Sequence, residues 1–235
     1  MCAANRFTFG NELLDSIPEH EIGLLRPYLG TEILKKESVL IEPGAEPERL
    51  YFPTNGLVSC IVSTAVGEQL EIYPAGSRDV VGLIQNTNQS WRAKVLIAGD
   101  AVTLQRHVLF RLLPQLERFS DVLMEYLAGL TAFVGQRVCC AHFHTPIERV
   151  CLWLALASEI TKTSDLECTQ QSIADAIGVR RATVTVALGE LQRQEIVRCQ
   201  RGHVYILDQK RLCAEACGCH PMLRTEQKNL AATLR

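Results

Sequence analysis

Hydrophobic and polar positions change rhythm three times along the chain. Over residues 11–30, Leu13, Leu14, Ile17, Ile22, Leu24 and Leu25 are grouped, with Pro18 and Pro27 as punctuation, which predicts short helical turns. From about residue 31 to 108, short β-rich runs (38–41, 50–52, 57–64, 69–73, 79–81, 93–98 and 101–104) alternate with turn clusters such as Glu42-Pro43-Gly44 and Pro53-Thr54-Asn55-Gly56. Strands at ~8–12-residue spacing predict an antiparallel sandwich or barrel, and a jelly roll fits this length.

After Pro114 the pattern becomes helical for about thirty residues. Leu123, Leu127, Leu130, Val134, Val138 and Ala141 recur at spacings of three and four, on one stripe. Such a helix must bury its stripe on the roll or against its twin in a homodimer. The expectation is the twin, with Leu123, Leu127, Leu130 and Val134 in a coiled-coil-like seam. Gly129 and Gly135 weaken the isolated helix by up to ~1 kcal/mol each, which makes a packing partner more necessary. His144-Thr145-Pro146 ends the helix. Thr145 as N-cap, Pro146 at the first helical position and Glu148 closing a capping box start the next one, through Val150, Leu154 and Ile160. The Thr145-Pro146 corner is both a domain boundary and a hinge.

The stretch 168–194 is the most informative. Thr169 is an N-cap for a short helix whose core side holds Ile173, Ala174 and Ile177. Gly178 supplies a left-handed turn, Val179 plugs the corner, and a second helix opens at Arg180 with Val184, Leu188 and Leu191 inward. This is the spacing of a helix-turn-helix. On the second helix, Arg181, Ala182, Thr185 and Val186 share the outer N-terminal side and are expected to face base edges. Thr169, Gln170, Arg180 and Thr183 are placed to meet phosphates. Residues 196–199 and 204–207 then flank Arg201-Gly202, a hairpin with a basic tip: a wing. A helical hairpin of an ordinary α protein shares the spacing alone; the glycine turn, basic face and wing together select a DNA reader. The fold class is therefore α+β: an N-terminal jelly roll over 1–113, a long dimerisation helix over 114–144, a winged helix-turn-helix over 145–222 and a tail over 223–235.

Charge agrees with this division without proving it. Net charge is −2, yet residues 1–110 carry nine Lys/Arg against thirteen Asp/Glu, while residues 176–207 carry Arg180, Arg181, Arg193, Arg198 and Arg201 against Glu190 and Glu195. No apolar run reaches the ~18 residues of a membrane span, and Met1-Cys2-Ala3-Ala4-Asn5-Arg6 lacks a signal's apolar core. The expected compartment is the cytoplasm, where the ten cysteines are reduced.

The helix-turn-helix (residues 169–184) with Arg201-Gly-His-Val resembles the C-terminal domain of the cyclic-AMP receptor and fumarate-nitrate regulator (Crp/Fnr) superfamily, one founder of which is a standard helix-turn-helix example. The resemblance covers nearly the whole chain, because roll, long helix, hinge and wing follow in the family's order. It implies a cyclic-nucleotide-binding-like sensor domain, a homodimer on a two-fold symmetric DNA site, and contact with RNA polymerase. Two departures from the family's pattern bear on function. Ala182 and Val186 stand where the family often has Glu and Arg, so they offer only apolar contact, for instance to a thymine methyl, beside a bidentate Arg181. In the sensor, Gly82-Leu83-Ile84 and Arg92-Ala93 stand where cyclic-nucleotide binders have Gly-Glu-Leu and Arg-Ser/Thr. Leu83 cannot accept a ribose hydroxyl; Arg92 is either an anion ligand or a solvated strand residue. The expected effector is unknown and is not cyclic AMP, and no cofactor is expected.

Cys213, Cys217, Cys219 and His220 form a C-x3-C-x-C-H tail of metal-ligand types whose spacing matches no zinc ribbon or finger. Cys139 and Cys140 end the long helix near His142 and His144. The family's iron-sulfur members use an N-terminal cysteine cluster, where this chain has only Cys2. These cysteines read either as buried filler or as metal or thiol-redox sensors. An enzyme is the poorer reading, and no catalytic residue is assigned: no His lies between His20 and His107 to build a cupin-type metal site, and no nucleophile elbow, phosphate loop or HExxH occurs. A ligand-binding signalling module that does not touch DNA is the remaining alternative, opposed by the basic wing and Arg180-Arg181.

Overall fold

The computed structural model describes residues 8–83 and 91–223; Cys2, Ile84 and the tail beyond residue 223 lie outside the described residues. Two short helices, α1 (Glu12–Asp15) and α2 (Glu19–Leu25), open the fold. Asn11 caps the first: its side-chain oxygen accepts from the Leu13 and Leu14 amides, while its amide donates to the carbonyls of Pro53 and Asp79. The buried Leu13, Leu14, Ile22 and Leu25 pack with Leu50, Phe52 and Leu104 of the sheets that follow.

Seven strands build two antiparallel sheets: β1 (Leu29–Leu34), β2 (Val39–Ile41), β3 (Arg49–Pro53), β4 (Leu57–Ser63), β5 (Gln69–Ala75), β6 (Trp91–Ile97) and β7 (Gly99–Gln105). One sheet runs β1-β7-β3, the other β2-β6-β4-β5. The sandwich predicted from strand spacing is present, with two differences in detail. β1 falls where the pattern gives only turns, because this edge strand buries little besides Leu34 and so lacks apolar alternation. Residues 79–81 form a single bridge, Val81 with Tyr51, instead of a strand.

α3 (Arg106–Leu112) leads into α4 (Glu117–Phe143), a helix of 27 residues. Its N-terminus is capped from a distance, since the Glu21 carboxylate of α2 accepts from the Arg118 and Phe119 amides at 2.9 Å each. The stripe read from the sequence splits. Leu123 is buried with Phe119, Val122 and Tyr126 against the roll, Leu127, Leu130 and Val134 are half-buried, and Val138 is exposed. The inward line is instead Phe119, Tyr126, Phe133 and Cys140, one every seven residues. A helix with apolar residues on two adjacent lines lays one of them on its own sheet, and the bulkier aromatic line has the larger area to bury.

The last unit comprises α5 (Pro146–Thr161), β8 (Asp165–Leu166), α6 (Gln170–Ile177), α7 (Arg181–Arg193), β9 (Val197–Gln200), β10 (His203–Ile206) and α8 (Gln209–Glu215), with a small sheet in the order β8-β10-β9. The capping box at α5 is formed as read: Thr145 accepts from the Glu148 amide, and Glu148 reaches back to the Thr145 amide at 2.8 Å. The whole is the α+β arrangement expected of jelly roll, long helix and winged helix-turn-helix. Among the described residues no helix is long and apolar enough to cross a membrane.

A buried polar joint connects this unit to the roll. Glu71 of β5 is fully buried; its two oxygens accept from Ser59 Oγ at 2.5 Å and from Trp153 Nε1 of α5 at 2.9 Å. Arg137 of α4 donates to the Glu71 carbonyl at 3.3 Å and to the Ala176 carbonyl of α6 at 3.4 Å. Burial raises the Glu71 carboxyl above the ordinary carboxylate range, opposed by Arg137 and the two side-chain hydrogen bonds. Trp153→Phe keeps most of the packing but leaves one carboxyl oxygen without a donor, so urea unfolding should show a loss of about 1–3 kcal/mol. An unchanged midpoint would mean that the joint carries no stability.

Candidate nucleic-acid interface and ligand cavity

Three locally determined features build the helix-turn-helix. Thr169 caps α6, accepting from the Ser172 amide at 3.0 Å while Ser172 Oγ accepts from the Thr169 amide at 2.9 Å. Gly178 ends the helix at φ +65°, its amide bonded to the Ala174 carbonyl, and a Cβ there would stand 3.1 Å from Leu70 Cδ1 of β5. The turn therefore needs glycine both for its backbone and for its approach to the roll. Ile173, Ala174 and Ile177 of α6 are buried with Val184, Leu188 and Leu191 of α7, and Val179 is half-buried between them.

The opposite face of α7 is open. Arg181, Ala182 and Thr185 are exposed, and Val186 is 73% exposed although apolar. Arg180 caps the helix without a side-chain bond and is exposed; Thr183 is half-buried. Thr185 Oγ1 donates to Gln170 Oε1 at 2.7 Å, which joins the two helices on this face. Thr169 is exposed with its hydroxyl in the cap.

The hairpin beside it is tight. β9 and β10 pair from His203–Gln200 to Ile206–Val197, leaving only Arg201-Gly202 as the turn, at φ +46° and +84°. Positive φ at both central residues is the type I′ geometry that matches strand twist. Arg201 is exposed at its tip. Arg198 stacks over Tyr205 at 4.8 Å, and His203 Nδ1 meets Asp165 Oδ1 at 2.8 Å. Among the described residues, no ion pair occupies Arg180, Arg181 or Arg201, whereas Arg193 pairs with Glu190. Uncompensated guanidinium groups on an exposed helix N-terminus and an adjacent hairpin tip favour a polyanion.

A second concave feature, about 280 Å³, lies between the roll and α4. Gly82 and Leu83 line it, together with Trp91, Tyr126, Leu127 and Leu130. Arg92 and Ala93 are placed otherwise. Side chains alternate along β6, so Arg92 points away from the cavity and pairs with Glu42 at 2.9 Å, while Ala93 is fully buried in the core. In this structure Arg92 thus takes the second of its two expected places, that of a paired strand residue. At the cavity's polar end the Tyr73 phenol, a lining residue, donates to Asp79 Oδ1, and the Gly76 amide donates to Oδ2 at 2.7 Å. Burial pushes the Asp79 carboxyl up to about 7 against these bonds. Neither this joint nor Glu71 was read from the sequence, because a single buried acidic residue carries no periodic signal.

The tail residues separate. Cys213 and His220 converge with Glu159, while Cys217 and Cys219 meet Cys140 and His144 at the end of α4.

Residues 148–215 match the family of Crp-like helix-turn-helix domains. Over 187 residues the chain is 25% identical to the global nitrogen regulator of a Nostoc species, covering 74% of this chain and 84% of that protein. Its fold is shared with a crp/fnr-family regulator from Eubacterium rectale, at 18% identity, TM-score 0.70, and 88% and 99% of the two chains. FixK2 from Bradyrhizobium japonicum has the same fold at 17% identity, TM-score 0.69, and 81% and 98% of the two chains. Residues 148–215 thus form a Crp-like helix-turn-helix domain, and the chain as a whole shares the fold of crp/fnr-family regulators.

Proposed function

We propose that the protein acts as a homodimer that reads a two-fold symmetric DNA sequence through the outer face of α7. The exposed, uncompensated Arg181 beside apolar Ala182 and Val186 supports this most directly. Arg181 can take a guanine bidentately, and the two small apolar neighbours suit a thymine methyl. Thr169, Gln170, Arg180, Thr183 and the wing residue Arg201 would meet phosphates and set the register. Contact with RNA polymerase belongs to the same reading. Arg181→Ala should cost roughly 1–3 kcal/mol on a selected palindrome and relax preference at one position per half-site. Arg201→Ala should weaken all sequences about equally and lower the salt slope by about one. If neither change alters binding, the chain is a ligand-binding module that does not read DNA.

The second copy would pack on α4. Besides the half-buried Leu127, Leu130 and Val134, this helix exposes Met124, Val138 (60% exposed) and Phe143, alongside small Ala128 and Gly135 that permit close approach. Because Val138 touches little of its own chain, Val138→Glu tests association without disturbing the roll. Sedimentation should show a dimer converted to monomer, with loss of palindrome binding. A wild type that is monomeric at micromolar concentration would overturn the dimer.

The effector follows from the cavity. Its lining is apolar and aromatic, and no Lys or Arg among the described residues reaches it. Leu83 leaves a ribose hydroxyl without an acceptor, at a cost of about 1–3 kcal/mol, and Arg92 is turned outward. We infer that the ligand is an uncharged, largely apolar small molecule and not cyclic AMP. Calorimetry should detect no low-micromolar binding of cyclic AMP; such binding would overturn this assignment.

A further inference from the structure

Four soft-metal ligand types from opposite ends of the DNA-binding unit meet at one point. Cys140 lies in the last turn of α4 and His144 is that helix's C-cap residue, an i, i+4 pair on one face. Cys217 and Cys219 come from a turn just after α8, closed by the His220 amide on the Cys217 carbonyl at 3.0 Å. Cys140 Sγ and Cys217 Sγ are 3.8 Å apart, and Cys219 Sγ is 3.8 Å from His144 Nδ1. All four donor atoms lie within 4.8 Å of one another. The three cysteines are buried, His144 is half-buried, and none of the sulfurs is in a disulfide.

We propose that Cys140, His144, Cys217 and Cys219 bind one zinc ion tetrahedrally and clamp the end of α4 to the segment after α8. A Zn–S bond of ~2.3 Å with tetrahedral angles spaces two sulfurs by about 3.8 Å, which is the separation observed. An iron-sulfur cluster would spread its four ligands around several atoms; donors this close fit a single ion. Four protein ligands leave no open coordination position, so the role is structural. Three thiolates and a neutral imidazole on Zn²⁺ carry a net charge of −1. Gln136 Nε2 donates to Cys219 Sγ at 2.8 Å, the outer-shell bond that orients a metal-bound sulfur.

Packing alone does not account for this arrangement, because buried thiols serving as filler have no reason to converge with an imidazole. Cys140 and Cys217 are 77 residues apart, so the clamp closes a loop that contains α5, α6, α7, the wing and α8. His220, next in the chain, turns away to Glu159 at 3.5 Å and is not a ligand here. The site is independent of which DNA sequence α7 reads, so its tests do not depend on DNA binding.

Metal analysis of the full chain, purified reduced and without an immobilised-metal column, should find one zinc per chain. Cys140→Ser and Cys217→Ser should each lower the content about tenfold or more, while Cys139→Ser, the exposed neighbour, should leave it unchanged. A ligand variant that fails to fold would lose zinc trivially. Wild type stripped by chelator is therefore titrated with Co²⁺ while circular dichroism follows the fold. Thiolate charge-transfer and tetrahedral d–d bands saturating at one equivalent are expected. Absence of zinc together with no uptake of Zn²⁺ or Co²⁺ would overturn the proposal. So would iron with acid-labile sulfide in place of zinc, or a Cys140–Cys217 disulfide in the protein as isolated.

Discussion

The placement of the DNA-binding unit depends on one buried carboxyl group. Carrying Glu71 out of water costs several kcal/mol unless both oxygens find donors, and here the donors are Trp153 of α5, set against β5, and Ser59 of β4 beside it. Since α5 carries α6, α7 and the wing, its depth on the roll sets where the reading face stands. Arg137 adds a second tie, from α4 to the carbonyls of Glu71 and Ala176. The next residues of β5, Ile72 and Tyr73, line the cavity under α4. Cavity and reader thus share a strand, and any ligand that shifts β5 acts on the joint directly.

What sequence showed and what it concealed divides along a physical line. Features fixed within a turn or two were legible: the capping box at Thr145, the cap at Thr169, the left-handed Gly178, the Arg201-Gly202 hairpin and the inward positions of α6 and α7. Their causes are local hydrogen bonds and backbone sterics, which a short window contains. β1 was not legible, because an edge strand with one buried side chain has no alternation to detect. The line of α4 that meets the roll was not legible, since two apolar lines run side by side and only the opposing sheet decides between them. Arg92 followed the same logic, its direction being set by the phase of β6.

The tail shows the limit most clearly. C-x3-C-x-C-H matches no metal-binding spacing because it is half of two different groupings. Cys217 and Cys219 find Cys140 and His144 across most of the DNA-binding unit, and Cys213 and His220 find Glu159. Glu71 and Trp153 likewise meet over 82 positions. Chain topology, not any local code, creates these meetings.

The wing tip carries a cost of its own. Arg201 sits at φ +46°, a backbone state that disfavours an L residue with a side chain by roughly 1–2 kcal/mol and suits Asn or Gly better. The fold gains nothing from arginine there, since the side chain is exposed and unpaired. Position 201 is therefore one where selection for a sturdier hairpin and selection for a cation at its tip pull in opposite directions, and the residue present records which has prevailed.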